Sequence, residues 1–375
     1  MPESLLYVPA LMLFLLISWT LPSKFFCQMI IASGAAYLAY YSVQSLVFLG
    51  VMSGFCAVIV CRFPHSKSLH KAAIGITLLG FITYRIYNPS IKIEQNLAVL
   101  GFSFYALKIM HVLLDSLHSK LDTPKVKDVF AWLWFWPTLL IGPINRFQEF
   151  QRELSRRRWD PDLFSRGVQR ILFGYAKIAI LGNWLAELVL GGYIQRLDSA
   201  SWLFHYLSTL KYGMLLYVKF AGYSDLAIGI ALLVGIRISE NFNFPFLACS
   251  IRDFWKRWHI SLSSWCNDYV YRSAFASFRS GAVASILTML VIGFWHEASF
   301  RYLFWGAWHG CGIALCLRWQ KSSLSAHLNS GYRKKIWAAF SLVLTLNFVV
   351  LSFVFTSTES MSLAMERFLV LGGIR

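Results

Sequence analysis

An all-α membrane protein of about ten to twelve spanning helices is what the sequence predicts, and three observations carry that expectation. Hydrophobic residues fill 57% of the 375 positions and charged residues only 14%, against roughly 25% in an ordinary soluble domain. Apolar stretches long enough to cross a bilayer run nearly end to end. The basic excess, 35 Lys and Arg against 18 Asp and Glu, collects in short connections at Arg62–Lys71, Lys120–Lys127 and Arg152–Arg158, the pattern of cytoplasmic loops. A formal charge of +17 in a soluble chain would suggest nucleic acid. Distributed in this way it reports topology and anionic lipid headgroups, and no nucleic-acid partner is expected.

The first five stretches are Leu5–Leu21, Phe25–Tyr41, Ser45–Cys61, Ala72–Tyr87 and Leu97–Leu114, separated by short polar or basic turns. Leu5–Leu21 lacks a basic leader and a small-x-small cleavage site, and is read as a retained span. Arg62, Lys67 and Lys71 before the fourth stretch, and Lys120, Lys125 and Lys127 after the fifth, put both connections in the cytoplasm and the Tyr87–Gln95 loop outside. Val129–Pro143 is short for a span and carries Pro137, Gly142 and Pro143, so a re-entrant or broken helix lining a cavity is expected. Arg146–Asp162 reads as a basic amphipathic segment at the cytoplasmic interface. Further spans are expected at Val168–Leu190, Trp202–Tyr217, Ala221–Ile236, Ala282–Trp295, Tyr302–Arg318 and Ile336–Phe355. The whole reads as one integral membrane domain, with N-terminal helices over 1–96, a core over 97–320 and a C-terminal helix and tail over 336–375. The seven cysteines show no paired spacing and read as small buried residues. No Gly-rich phosphate loop supports coupling to ATP.

Polar residues concentrate between Glu240 and Tyr271, interleaved with aromatics, and chemistry is expected there. Read as one helix, Arg252–Tyr271 puts Trp258, Ser261, Trp265 and Asp268 on one stripe with His259 beside them. A neutral histidine walled by indoles can accept a proton from a hydroxyl; the alternative is a structural histidine bonded to a neighbouring helix. His296 ends an otherwise apolar span between Trp295 and Glu297, where an ionisable group is costly and most often functional. Glu297 either orients that imidazole or marks the interface. His309, in WGAWHG, is explained first by helix packing through Gly306 and Gly310 and second as a cavity-lining residue. His65, His70, His111, His118, His205 and His327 read as solvated or interfacial. No metal-ligand spacing and no nucleophile elbow around Ser224 is present, so neither a metal site nor a hydrolase triad is expected.

These motifs resemble the membrane-bound O-acyltransferase family, specifically its bacterial branch of alginate O-acetylases and teichoic-acid D-alanyl transfer proteins. The resemblance runs from about residue 97 through LGFSFYALKIMHVLLD, FWPTLLIGPINRFQEF, KFAGYSDLAIGIALLVGI, NFNFPF, DFWKRWHISLSSW and GFWHEASFRYLFWGAWHG. It implies that His296 is the catalytic histidine and His259 the second active-site histidine, with Trp258, Ser261, Ser264, Asn267, Trp295, Glu297 and His309 in support. It also implies a ring of tilted helices around a central funnel in a bacterial inner membrane. The donor would be a cytoplasmic thioester, acetyl-coenzyme A or an acyl carrier protein, with no bound cofactor, and Arg146, Arg152 and Arg156 would form its basic approach. The acceptor would be a hydroxyl of an envelope polysaccharide, reached with a periplasmic or extracellular partner protein. Acetyl transfer is the first reading, D-alanyl transfer the second, and a non-catalytic scaffold or exporter the third. Two positions depart from the family pattern, Lys219 where an acidic residue is usual and Glu297 where Gly is usual. Both are expected to add charge near the cavity.

Overall fold

The computed structural model describes residues 8–87, 99, 101–328 and 333–374, and every regular element among them is helical. They form two compact units, one within Met1–Tyr175 and Gly222–Glu240, the other within Ala176–Ala221 and Asn241–Arg375. Among the described residues, four helices are long and apolar enough to cross a membrane: Val43–Arg62, Pro161–Ile194, Trp202–Leu233 and Arg333–Ser357. Pro9–Thr20 and Gly281–His296 are apolar but shorter.

In the first unit, helices Val8–Thr20, Phe26–Tyr41, Val43–Arg62, Lys67–Tyr87 and Phe102–Leu117 follow the first five apolar stretches. The start of the fifth stretch and most of the Tyr87–Gln95 loop fall outside the described residues. Ser42 separates the second and third helices and caps the latter by accepting from the Ser45 N–H at 3.1 Å. The proline-rich segment is broken, as its composition predicts. Helix Val126–Leu133 stops, a tight turn spans Trp136–Thr138 around Pro137, and Gly142 takes φ +118°. Its backbone stays inside protein, with Trp132, Leu133, Phe135 and Thr138 fully buried.

Two histidines expected to be solvated are buried instead. His70 bonds the Ser66 carbonyl (2.8 Å) and the Ser116 hydroxyl (2.9 Å), while His111 accepts from the Phe147 N–H (3.1 Å) and lies 3.4 Å from Asp115. His70 lies in the first turn of its helix and His111 well inside its own, and the helix faces that carry them are covered by other helices of the same unit. Position along a span says nothing about which face is covered.

Trp202–Tyr217 and Ala221–Ile236, expected as two spans, are a single helix, Trp202–Leu233. Lys219 falls between the two expected spans. One lysine without Pro or a turn pair does not stop a helix, because its stem can lie along apolar surface. At 32 residues this helix extends about 48 Å, well beyond a hydrocarbon core of roughly 30 Å. Pro161–Ile194 is also long, and widens to π-helical turns over Lys177–Leu190. The C-terminal segment contains a further helix, Met361–Leu371, capped by Ser360.

In the second unit, Gly281–His296 packs directly on Phe300–Trp319. A Cβ on Gly306 would collide with the Met289 carbonyl, and one on Gly310 would lie 2.7 Å from Ile286 Cα. This small-xxx-small pair brings the two backbones into contact. Gly306→Leu should therefore force the helices apart and cost about 1–3 kcal/mol or more, read as a lower Tm of detergent-solubilised protein. The cysteines divide: Cys27, Cys56 and Cys266 are buried as expected, whereas Cys249 and Cys311 are exposed and Cys61 and Cys316 half-buried. Cys61, Cys311 and Cys316 lie on apolar helices, where hydropathy alone does not separate the exposed face from the core, and Cys249 lies in a bend before helix Ile251–Arg257.

Candidate active site

The helix expected over Arg252–Tyr271 is interrupted at its histidine. Ile251–Arg257 ends, Trp258 is extended, His259 takes a left-handed backbone (φ 46°, ψ 53°), and Ile260–Cys266 begins a new helix. A left-handed non-glycine residue costs about 1–3 kcal/mol unless its surroundings hold it. Here the segment from Asn241 to Asn243 does so. The Ile260 N–H donates to the Asn241 carbonyl (2.9 Å), and the Asn243 N–H donates to the Arg257 carbonyl (3.0 Å). Trp258 therefore does not share a helical stripe with Ser261, Trp265 and Asp268. Local periodicity could not reveal this break, because its stabilising hydrogen bonds come from about 18 residues upstream.

The break aims His259 into a cavity of about 90 Å³ in the second unit. Three histidines line it, His259, His296 and His309, within walls that include Phe220, Trp255, Trp258, Tyr302, Trp305 and Phe353. No carboxylate is among the lining residues. His259 and His309 are buried, whereas His296, the last residue of Gly281–His296, is half-buried at the rim. The Trp295 indole packs against both the His296 ring (4.9 Å between centroids) and the His259 ring (6.1 Å), and so spaces them.

Hydrogen-bond accounting assigns the protons. Asn241 Oδ1 faces the Ser261 backbone N–H (3.4 Å), which can only donate, and the Ser261 hydroxyl (2.9 Å), so that atom is an acceptor. His259 Nδ1, 3.1 Å from the same oxygen, must then carry its hydrogen, which leaves Nε2 of the neutral ring as the proton-accepting nitrogen. The opposite tautomer holds at His309. Its Nδ1 accepts from the Trp255 indole N–H at 3.3 Å, so Nε2 carries the hydrogen and donates to the Ser352 hydroxyl at 2.9 Å. Both nitrogens of His309 are thus engaged by protein, consistent with a packing role in the cavity wall.

The remaining sequence candidates scatter. Ser261 is buried on Asn241, but Ser264 and Asn267 are exposed, bonding the Ser261 carbonyl and Asp268 respectively, and neither lines the cavity. Glu297 does not orient His296. Its carboxylate pairs with Arg301 at 2.8 Å, and Arg301 also donates to the carbonyls of Phe355 and Thr358. Lys219 lays its stem near Gly182. Neither departure from the family pattern places its charge on the cavity lining. Because Glu297 and Arg301 are only 13% and 12% exposed, Arg301→Ala would strand a buried carboxylate. It should cost about 3–5 kcal/mol and lower the Tm far more than Glu297→Gln does. The three basic residues expected on the donor side do not form one site: Arg146 turns inward to His111 (3.4 Å), Arg152 is exposed, and Arg156 borders a separate cavity.

Asn241 is the functional candidate that the sequence reading passed over. It was visible only as one polar residue among many between Glu240 and Tyr271, and only the folded chain shows it holding His259. Among the described residues no three His, Cys, Asp or Glu side chains converge as metal ligands would.

Comparison with known proteins identifies the family. Residues 82–355 match the model of the membrane-bound O-acyltransferase family, MBOAT. The chain is 33% identical over 294 residues to a Pseudomonas aeruginosa protein named "Probable alginate O-acetylase AlgI", covering 75% of this chain and 53% of that protein. It is 29% identical over 307 residues to a Streptococcus thermophilus teichoic acid D-alanyltransferase, covering 75% and 74%. It is 26% identical over 333 residues to a Helicobacter pylori peptidoglycan O-acetyltransferase, covering 78% and 62%. The chain spans about half the length of the alginate relatives it matches. The family model matches residues 82–355, well over half of the chain, and the chain therefore belongs to the membrane-bound O-acyltransferase family.

Proposed function

We propose that this protein is a multi-pass O-acyltransferase of a bacterial inner membrane, with ten to twelve spans around a central funnel. It moves a small acyl group, acetyl in the first instance, from a cytoplasmic thioester to a hydroxyl of an envelope polysaccharide. The donor is acetyl-coenzyme A or an acyl carrier protein, and a periplasmic or extracellular partner protein completes delivery. The observation that carries this reading is the aromatic-walled cavity holding His296 at its rim and His259 in its wall.

In this scheme the acceptor hydroxyl attacks the thioester carbonyl while His296 removes its proton. The tetrahedral oxyanion collapses, expels the thiolate and leaves the new ester, and the proton on His296 returns to the thiolate. No covalent enzyme intermediate is needed. The assigned tautomer refines the part played by His259. With Nδ1–H committed to Asn241, neutral Nε2 is an acceptor; the reacting hydroxyl gives its one proton to His296, so Nε2 accepts from a neighbouring hydroxyl of the saccharide and positions the acceptor, rather than donating to the oxyanion.

Cavity size and lining bear on the acyl group. A space of about 90 Å³ holds a few waters, at roughly 30 Å³ each, and suits a two-carbon acyl group rather than a fatty chain. D-alanyl transfer would bring an ammonium group into a lining that has no carboxylate, an unfavourable burial. Acetyl is the better fit on that ground, although the Streptococcus thermophilus relative is named for the other chemistry. A scaffold or exporter role would give no reason for the paired histidines.

The test is transfer of labelled acyl groups by purified protein in lipid nanodiscs, offered acetyl-coenzyme A or a D-alanylated carrier protein. Label from acetyl-coenzyme A in a saccharide acceptor supports the proposal. Preference for the carrier moves it to the second branch, and consumption of neither donor by well-folded protein supplied with its partner sinks it.

A further inference from the structure

A second cavity, of about 350 Å³, opens in the first unit where helix Phe147–Arg156 ends and the chain turns after helix Trp202–Leu233. Arg156, Arg158, Asp160, Leu163, Gly235 and Arg237 line it. That volume lies at the lower end of small-molecule sites, roughly 300–1,000 Å³.

Arg157 sets how the guanidinium groups come to share this space. Its side chain is pinned, donating to the Val234 carbonyl and the Ser18 carbonyl at 2.7 Å each and lying over the rings of Trp19 and Phe26. The helix ends at Arg156 and the backbone leaves helical geometry at Arg157 (φ −58°, ψ 121°). Arg156 and Arg158 are turned to the cavity. Gly235 (φ +79°) lets the other wall approach, since a Cβ there would sit 3.3 Å from Arg157 Cγ and 3.5 Å from the Arg158 carbonyl. Arg237 completes the rim, anchored by Glu153 (3.4 Å) and Asp160 (3.9 Å).

The charge is unbalanced. Asp160 is the one acidic residue of the lining, and it is already engaged. It accepts from the Leu163 and Asp162 N–H groups, bonds that with Arg237 and Arg166 hold its carboxyl below the usual value. Among the described residues no carboxylate pairs with Arg156 or Arg158. Two uncommitted guanidinium forks facing one small cavity match the oxygens of a phosphate group, which arginine binds through paired N–H donors. Trp159, 53% exposed and edge-on to Trp19 at 5.0 Å, sets an amphipathic ring beside the site.

We infer that this cavity binds a phosphoester anion through Arg156 and Arg158, with Arg237 at its edge. Such an anion can come from a soluble phosphorylated molecule or from an anionic lipid headgroup. The inference goes beyond the acyl-transfer reading and is tested without turnover, so His296→Ala should bind as the parent does whatever becomes of catalysis.

The experiment titrates protein in phosphatidylcholine nanodiscs with free pyrophosphate by calorimetry. In parallel, native mass spectrometry measures phosphatidylglycerol retained from mixed phosphatidylcholine and phosphatidylglycerol nanodiscs. The double variant R156Q/R158Q should weaken one of these by about tenfold to a hundredfold. Arg152→Gln, an exposed arginine of the same helix outside the cavity, should leave both unchanged. Loss of pyrophosphate binding identifies a soluble phosphate and loss of lipid retention a headgroup. Binding of neither probe by the parent, or equal losses in Arg152→Gln and the double variant, would overturn the assignment in favour of diffuse surface charge. Both substituted arginines are exposed and without carboxylate partners, so an unchanged Tm is expected and keeps the result interpretable.

Discussion

His296→Ala should lower acyl transfer by about 10²- to 10⁴-fold, the range that a positioned general base contributes, with little change in Tm. The residue ends its helix and sits half-buried at the cavity rim, so losing the ring neither opens the packed core nor unravels the helix. His309 supplies the contrast. His309→Ala orphans the buried Trp255 indole N–H, which costs about 1–3 kcal/mol, and leaves Ser352 only its bond to the Val349 carbonyl. Its main effect should be a lowered Tm, with the surviving folded fraction active. Near-parental turnover by His296→Ala, or abolished turnover at unchanged Tm in His309→Ala, would reverse the two roles.

Asn241→Ala should lower kcat by about 10²-fold, the scale on which a preorganised polar group contributes, because His259 loses the oxygen that selects its tautomer and aims Nε2. The backbone pairing that holds the left-handed turn uses the Asn241 carbonyl and the Asn243 N–H, and it survives the substitution. Asn241→Asp keeps an acceptor oxygen at the same place and should retain activity within about tenfold of the parent, acting through the same tautomer. A kcat unchanged in Asn241→Ala alongside a lowered Tm would mean that Asn241 serves the fold alone. Equal losses in the Ala and Asp variants would mean that the acceptor at this position is not what matters.

Much of the fold was legible because membrane solvation imposes a simple rule. Backbone polar groups in hydrocarbon must pair within the segment, so a long apolar stretch is a helix almost wherever it occurs. The first five stretches, the break at Pro137 and Gly142, and Gly281–His296 all follow from that rule. It does not say where one span ends and the next begins, and Trp202–Tyr217 and Ala221–Ile236, expected as two, are parts of one 32-residue helix. The rule is also silent about faces, which is why His70 and His111 were read as solvated although other helices cover them.

The candidate site divides in the same way. Composition and motif spacing by themselves determined that the chain is helical and apolar, which family it resembles, and that His259, His296 and His309 are the histidines worth attention. Those are properties of residue type and order. Only the tertiary structure decided that the helix breaks at His259, that Asn241 fixes that ring, that His309 is committed at both nitrogens, and that Ser264 and Asn267 face away. It also decided that Glu297 answers Arg301 rather than His296, and that Arg158 and Arg237 share a cavity with Arg156. Each of those outcomes depends on a hydrogen bond, an ion pair or a shared wall formed with a partner that local periodicity does not register. Such contacts exist only once the chain has packed.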